Sequence, residues 1–257
     1  MCEEPHLYHI LHNPSYKIMD DVCPTVLRRI LFSIKDHLIL SLCFVVMNIR
    51  ILIADDHTIV RDGLKMILSE HPDLKIISEA ASGNEVLHYV MDHDVDVIIL
   101  DISMPGQNGL DTLKQIKVLK PHIPVLILSM YPEEQYAARV IRAGASGYLT
   151  KESATQELVL AIRKVLHGGR YITATLAEIL AEEYAHNSQD FIHSSLSDRE
   201  FQILCLIGSG KSVSTISEEL HLSVKTVSTY RMRIIEKTGL KNNAEITHYV
   251  IKNNLTH

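Results

Sequence analysis

Three carboxylates, a hydroxyl and an ammonium in this chain each follow a short apolar run. Asp55 and Asp56 come after ILIA, Asp101 after VDVIIL, Ser129 after VLIL, and Lys151 after GYLT. Carboxylates brought close together repel one another unless a cation joins them. A hard divalent ion with oxygen ligands answers that need, and Mg²⁺ is the usual choice when phosphate is the other partner. Lys151 adds a positive charge suited to a phosphoryl oxygen, and Ser129 can donate a hydrogen bond to another. Asp101 is then the nucleophile, since a carboxylate attacking phosphorus gives an acyl phosphate, with the metal and Lys151 stabilising the transferring group. Singly, each residue has an ordinary explanation: an Asp after a strand caps a turn or helix, a Lys is solvated, a Ser bonds locally. Those explanations do not predict joint placement at successive strand ends.

The elements that must position them alternate along the chain. Apolar runs at 49–54, 74–80, 95–100, 125–129 and 146–149 read as strands, and amphipathic stretches at 59–69, 84–91, 110–119, 133–142 and 156–167 read as helices. Strands separated by helices of this length imply parallel βαβ units. The run at 95–100 is almost wholly apolar, as a central parallel strand covered on both faces should be. Open sheets of this kind bind ligands at the carboxyl ends of their strands, where the polar residues named above fall. The fold class expected for 47–170 is α/β, a doubly wound, parallel, five-stranded, flavodoxin-like domain.

Met104-Pro105-Gly106 and Asn108-Gly109 follow Asp101 and supply the sharp turns a loop around a phosphate requires. At this point the chain resembles the receiver domains of two-component response regulators. Asp55-Asp56, Asp101 with Met104-Pro105-Gly106, Ser129, and Tyr148 with Lys151 three residues later carry the resemblance, which covers 47–170. It implies that Asp56 and Asp101 ligate Mg²⁺ directly, with the Ser103 backbone carbonyl as a third protein ligand and Asp55 acting through water. It implies too that Ser129 and Tyr148 form a switch pair, the hydroxyl moving toward the phosphoryl group while the ring turns inward.

Beyond Gly168-Gly169 a short helix is expected at 173–184, and the polar stretch 186–195 reads as the flexible part of a linker spanning 171–194. Ser197-Asp198-Arg199-Glu200 fits a capping box, and Ile203, Leu204, Leu206 and Ile207 supply the apolar face of the helix it opens. A second helix reads at 211–220, with Ile216 and Leu220 inward. A third runs from a Ser223 cap to about Thr238, with Gly239 as its C′ residue. A fourth is capped by Asn243. Two short helices joined by a tight turn make a helix-turn-helix, and the small all-α four-helix domain expected at 195–257 is the one segment that is net basic, with eight basic and six acidic residues. That sign suits nucleic acid, although the whole chain carries −6. Lys225, Thr226, Ser228, Thr229, Arg231 and Arg233 on the third helix can meet phosphates and base edges in a major groove; a solvated basic surface helix is the plainer alternative for that helix alone. The segment resembles LuxR-type DNA-binding domains, and receiver and helix-turn-helix together resemble the NarL/FixJ response regulators.

That resemblance implies a non-enzymatic transcription regulator. Its partners are a cognate sensor histidine kinase or phosphotransfer protein, promoter DNA, RNA polymerase, and a second copy of the chain paired through the fourth helix on phosphorylation. A hydrolase of the haloacid dehalogenase type would place a second Asp two residues after the nucleophile, where this chain has Ser103. A regulator that ignores phosphorylation should have lost part of the acidic pocket, and a ligand-sensing LuxR-type regulator would need a different N-terminal domain. Residues 1–46 differ from the rest. Their apolar run at 38–46 is interrupted by Asn48 and Arg50 well before the about 20 residues a membrane span needs, and no small-residue cleavage site follows. The expectation is either an upstream-start artefact, with Met47 as the true start, or a poorly ordered extension, with a short membrane-interacting segment as the alternative. Cys2, Cys23 and Cys43 lie in that extension, and Cys205 stands alone near the other end, with no metal spacing. This usage suits a reducing, cytoplasmic setting and no membrane partner.

Overall fold

The computed structural model describes residues 48–104, 108–185, 192–253 and 255. Expectations for 1–46, the Met47 start, Pro105, Gly106 and linker positions 186–191 lie outside the described residues. Five strands, β1 (Ile49–Ala54), β2 (Leu74–Ala80), β3 (Val97–Asp101), β4 (Val125–Ser129) and β5 (Gly147–Thr150), form one parallel sheet in the order β2-β1-β3-β4-β5. Between them run α1 (Thr58–Ser69), α2 (Gly83–Asp92), α3 (Gly109–Leu119) and α4 (Glu133–Arg142), and α5 (Ala154–Leu166) follows β5.

Every residue of β3 and β4 is buried, which is why their sequences are continuous apolar runs rather than alternating ones. Side chains still alternate between faces. Leu52, Ile98, Leu100 and Ile127 meet α2, α3 and α4 on one side, while Ile51, Ile53, Ile99 and Leu128 meet α1 and α5 on the other. The third strand starts two residues later than its apolar run. Asp96 is occupied in clamping β1: its carboxylate accepts from the Arg50 backbone N–H at 2.8 Å and from Arg50 Nη2 at 2.9 Å.

After α5, Tyr171 forms an isolated parallel bridge with Gly147, and α6 (Ala174–Ala185) packs against α4. A 3₁₀ turn covers Ile192–Ser195, where the sequence lacked any periodicity. Four helices complete the chain: α7 (Asp198–Gly208), α8 (Val213–Glu219), α9 (Val224–Thr238) and α10 (Asn243–Lys252). Ser197 and Glu200 form the full capping box of α7, and Gly239 closes α9 at φ +75°. Helix α8 begins at Val213, later than expected, because Ser212 caps it by accepting from the Thr215 N–H at 3.1 Å. The cap of α10 is Asn242, not Asn243; its Oδ1 accepts from the Glu245 N–H at 3.0 Å. No helix among the described residues is long and apolar enough to cross a membrane.

Candidate functional site

The carboxyl ends of four strands bring the predicted pocket residues together. Asp55 and Asp101 are each 1% exposed. Lys151 Nζ stands 2.6 Å from Asp55 Oδ2 and 3.0 Å from Asp101 Oδ2, and the Lys151 N–H donates to the Ser129 carbonyl at 2.8 Å. Asp101 Oδ1 accepts from the Ser103 N–H at 3.1 Å. Arg61 Nη1 donates to the Asp55 carbonyl at 2.6 Å, fixing the backbone of the acidic pair.

Burial pushes the Asp101 carboxyl above its ordinary range; Lys151 opposes this and the Asp55 charge adds to it. Burial also works to lower the Lys151 ammonium, but the charges of Asp101 and Asp55 overcome it and the net shift is upward. Lys151 therefore stays cationic between two carboxylates.

The donor set suits a hard divalent ion. Asp55 Oδ2 and Asp56 Oδ1 are buried without a hydrogen-bond partner among the described residues, although Lys151 stands by the first and the His57 ring, at 3.0 Å, by the second. One ligand atom from each of Asp55, Asp56, His57 and Asp101 lies within 4.8 Å of the others. Three carboxylates beside the single Lys151 ammonium leave an excess of negative charge, which suits a further cation with oxygen ligands.

The switch candidates sit beside the pocket. Ser129 Oγ accepts from the Tyr131 N–H at 3.1 Å. Tyr148 is fully buried and donates its hydroxyl to the Tyr131 carbonyl at 2.7 Å; burial pushes its phenol well up.

Two histidines were absent from the sequence-derived pocket. His57 directly follows the acidic pair, so a local signal existed: its Nδ1 lies 3.3 Å from Asp55 Oδ1. His221 comes from the turn between α8 and α9, at φ +50°, and its Nε2 lies 3.9 Å from Asp56 Oδ2. Nothing in the sequence announces that approach, because it depends on how the helical segment docks.

Docking is made by α3 and α4 against α7. Asp198 accepts from Lys114 Nζ at 2.5 Å and from Arg139 Nη1 at 3.1 Å. Arg139 also donates to the Leu196 carbonyl at 2.9 Å and lies 4.5 Å over the Phe201 ring. Tyr136 meets Phe201 edge-on with centroids 5.5 Å apart.

On α9, Lys225, Ser228, Thr229 and Arg233 are exposed, while Thr226 and Arg231 are half-buried. Val227 and Ile234 face inward. Thr226 sits against the Ser223 cap, its N–H donating to Ser223 Oγ at 3.0 Å. Arg231 Nε is committed to Asn243 Oδ1 at 2.7 Å, and Arg233 lies 5.8 Å over the Tyr230 ring. Val224, 51% exposed at the start of the helix, was not singled out; it offers an apolar contact of the kind a thymine methyl takes.

Fold and site together define a class: a doubly wound α/β domain with an acidic, lysine-bearing pocket, joined to a helix-turn-helix domain. A family model described as "Response regulator receiver domain" matches residues 51–163, and one described as "Bacterial regulatory proteins, luxR family" matches 194–250. Response regulator UvrY of Escherichia coli (strain K12) is 38% identical over 208 residues, covering 80% of this chain and 95% of that protein. Oxygen regulatory protein NreC of Staphylococcus epidermidis is 40% identical over 214 residues, covering 80% of this chain and 98% of that one. Among solved structures, RcsB from Salmonella enterica serovar Typhimurium, bound to promoter DNA in the presence of the phosphomimetic BeF3-, matches with a TM-score of 0.51 at 25% identity, covering 79% of this chain and 98% of that chain. The chain belongs to the NarL/FixJ family of two-component response regulators, and is a DNA-binding regulator in which a receiver domain precedes a LuxR-type domain.

Proposed function

We propose that Asp101 is the phosphoryl acceptor and that its state governs DNA binding by α9. The observation that carries this is Lys151 held 3.0 Å from Asp101 and 2.6 Å from Asp55 in a pocket where both carboxylates are buried. An Asp101 oxygen attacks phosphorus; the bond from phosphorus to the donor nitrogen of a sensor histidine kinase or phosphotransfer protein breaks, and its electron pair stays on that nitrogen. Asp55, Asp56, Asp101 and the Ser103 carbonyl would hold Mg²⁺, which supplies charge neutralisation on the transferring group when bound. Lys151 holds its proton and pairs with a phosphoryl oxygen. Ser129 can turn its hydroxyl to another.

Control of DNA follows from docking. In a helix-turn-helix the first helix crosses the DNA backbone and the second places its N-terminal residues at base edges. His221, in the turn between those helices, lies 3.9 Å from Asp56, so DNA and the acidic pocket compete for the same face. Phosphorylation can shift that balance only through contacts that differ between the docked and released states. On DNA, two copies pair through α10, whose Ile251 is 59% exposed, and present two α9 helices to paired half-sites.

Intact-mass measurement with a small phosphodonor and Mg²⁺ tests the acceptor. The wild-type chain should gain one phosphate and Asp101→Asn none. Label retained by the variant would move the acceptor elsewhere.

A further inference from the structure

One residue in the loop between β4 and α4, Tyr131, touches both switch residues and the receiver side of the domain interface. The Tyr131 N–H donates to Ser129 Oγ at 3.1 Å, and its carbonyl accepts from the Tyr148 hydroxyl at 2.7 Å. Its backbone thus holds both members of the switch pair. Its ring leans on Tyr136 with centroids 4.8 Å apart, and Tyr136 carries the contact on to Phe201 of α7 at 5.5 Å. Burial keeps the phenol protonated, while its hydroxyl faces Ser103, two residues past Asp101, and Gln202 of α7. Gln202 is itself fully buried, with Nε2 lacking a hydrogen-bond partner among the described residues.

We propose that Tyr131 is the positioning residue that transmits the state of Asp101 to the DNA-binding domain; this rests on the acceptor role proposed above. If Ser129 turns its hydroxyl toward a phosphoryl oxygen, the bond it accepts from the Tyr131 N–H must shift with it. The Tyr131 carbonyl, ring and hydroxyl then move together, because they belong to one residue. Close-packed interiors answer such shifts by changing between discrete arrangements rather than by flexing. The ring's exit from Tyr136 and Gln202 removes the support beneath Phe201 and loosens α7 from α4.

A ring that merely fills space predicts something different. On that view Tyr131→Phe is silent, and Tyr131→Ala lowers stability without changing the response to phosphorylation. Tyr131→Phe keeps the stacking and removes the hydroxyl that faces Ser103 and Gln202. The full-length chain is compared with this variant, with and without acetyl phosphate and Mg²⁺. Three quantities are followed: phosphate per chain, hydrogen exchange in α7, and affinity for a duplex selected in vitro on the phosphorylated wild-type chain.

Tyr131→Phe should still take up one phosphate and melt at the wild-type temperature. Its α7 exchange and duplex affinity without donor should already approach the phosphorylated wild-type values, a gain of about five-fold or more in affinity, the lower end of ordinary coupling between sites. Donor should then add less than about two-fold. A wild-type donor response in both Tyr131→Phe and Tyr131→Ala overturns the proposal. If the wild-type chain takes no phosphate, or takes it at a residue other than Asp101, the acceptor role fails instead, so the two failures are distinguishable.

Discussion

At Gly109 an added Cβ would lie 2.2 Å from the Asp101 carbonyl oxygen and 2.7 Å from the Ile102 Cα. Both are backbone atoms, and the Gly109 N–H donates to the Ile102 carbonyl at 3.1 Å. Gly109→Ala must therefore displace the peptide that carries Asp101, with a stability cost of about 1–3 kcal/mol. Phosphodonor labelling should slow, and a wild-type labelling rate would mean that the loop yields elsewhere. On α9 the predicted residues divide. Lys225 is exposed and should act on DNA phosphates, so Lys225→Ala should weaken binding and flatten its salt slope by about one while leaving stability unchanged. Arg231→Ala should weaken binding and lower the melting temperature as well, because Arg231 also holds Asn243. Equal melting temperatures for the two variants would remove that structural role. Asp55, Asp101, Ser129 and Lys151 were legible in the sequence because strand periodicity fixes where strands stop. His221 was not, since its partner Asp56 lies in the other domain; Tyr131 was not, since it holds Ser129 and Tyr148 through its backbone N–H and carbonyl, which carry no residue-type signal.

Among the helices, α7 departs furthest from its sequence pattern. Ile203, Leu204, Leu206 and Ile207 suggested one apolar face, yet all 11 residues Asp198–Gly208 are buried. Polar members of the helix find partners there: Asp198 in Lys114 and Arg139, Glu200 in Lys237 at 2.7 Å, and Gln202 Oε1 in Arg199 at 2.7 Å. Amphipathic periodicity reports burial within one domain and cannot register a second layer supplied by another. The position of Gly208 follows from the same crowding, since a Cβ there would lie 2.4 Å from Val250 Cγ1 of α10. Gly208→Ala should push α10 away and cost about 1–3 kcal/mol, read as a lower denaturant midpoint. Unchanged stability would show that α10 can slide at no cost. The five strands and their parallel arrangement were recoverable because helix-length stretches separate the runs and because β3 and β4 are apolar up to their last residues, Asp101 and Ser129. The Asn242 cap was missed because two adjacent asparagines offer the same chemistry, and only the Glu245 N–H distinguishes them.

Across the whole molecule, His193 links both domains: its carbonyl accepts from Arg139 Nη2 of α4 at 3.4 Å. Its Nδ1 lies 2.7 Å from the Tyr249 hydroxyl, and its ring sits 5.5 Å from Phe201. Burial, reinforced by Arg139 and Arg142, holds its pKa down at about 4 against an ordinary 6.5. The unfolded chain therefore takes up the proton first as pH falls. The contribution of neutral His193 is fully present above pH 6.5, is lost progressively toward about 4, and changes no further below that. The decline in melting temperature between pH 7 and 5 should be shallower in His193→Phe than in the wild-type chain; parallel declines would assign the acid sensitivity to other groups.

The burial of α7 between the two domains has a thermal consequence. Release of the DNA-binding domain uncovers Phe201 and the edge of Tyr136, which meet only in the docked state. Exposing aromatic surface to water raises the heat capacity, and the driving force that favours its burial weakens on cooling. The balance between docked and released chains should thus drift with temperature even when nothing changes at Asp101. Such a regulator carries in its domain interface a modest thermometer, and its resting level of DNA occupancy should differ between a cold cell and a warm one.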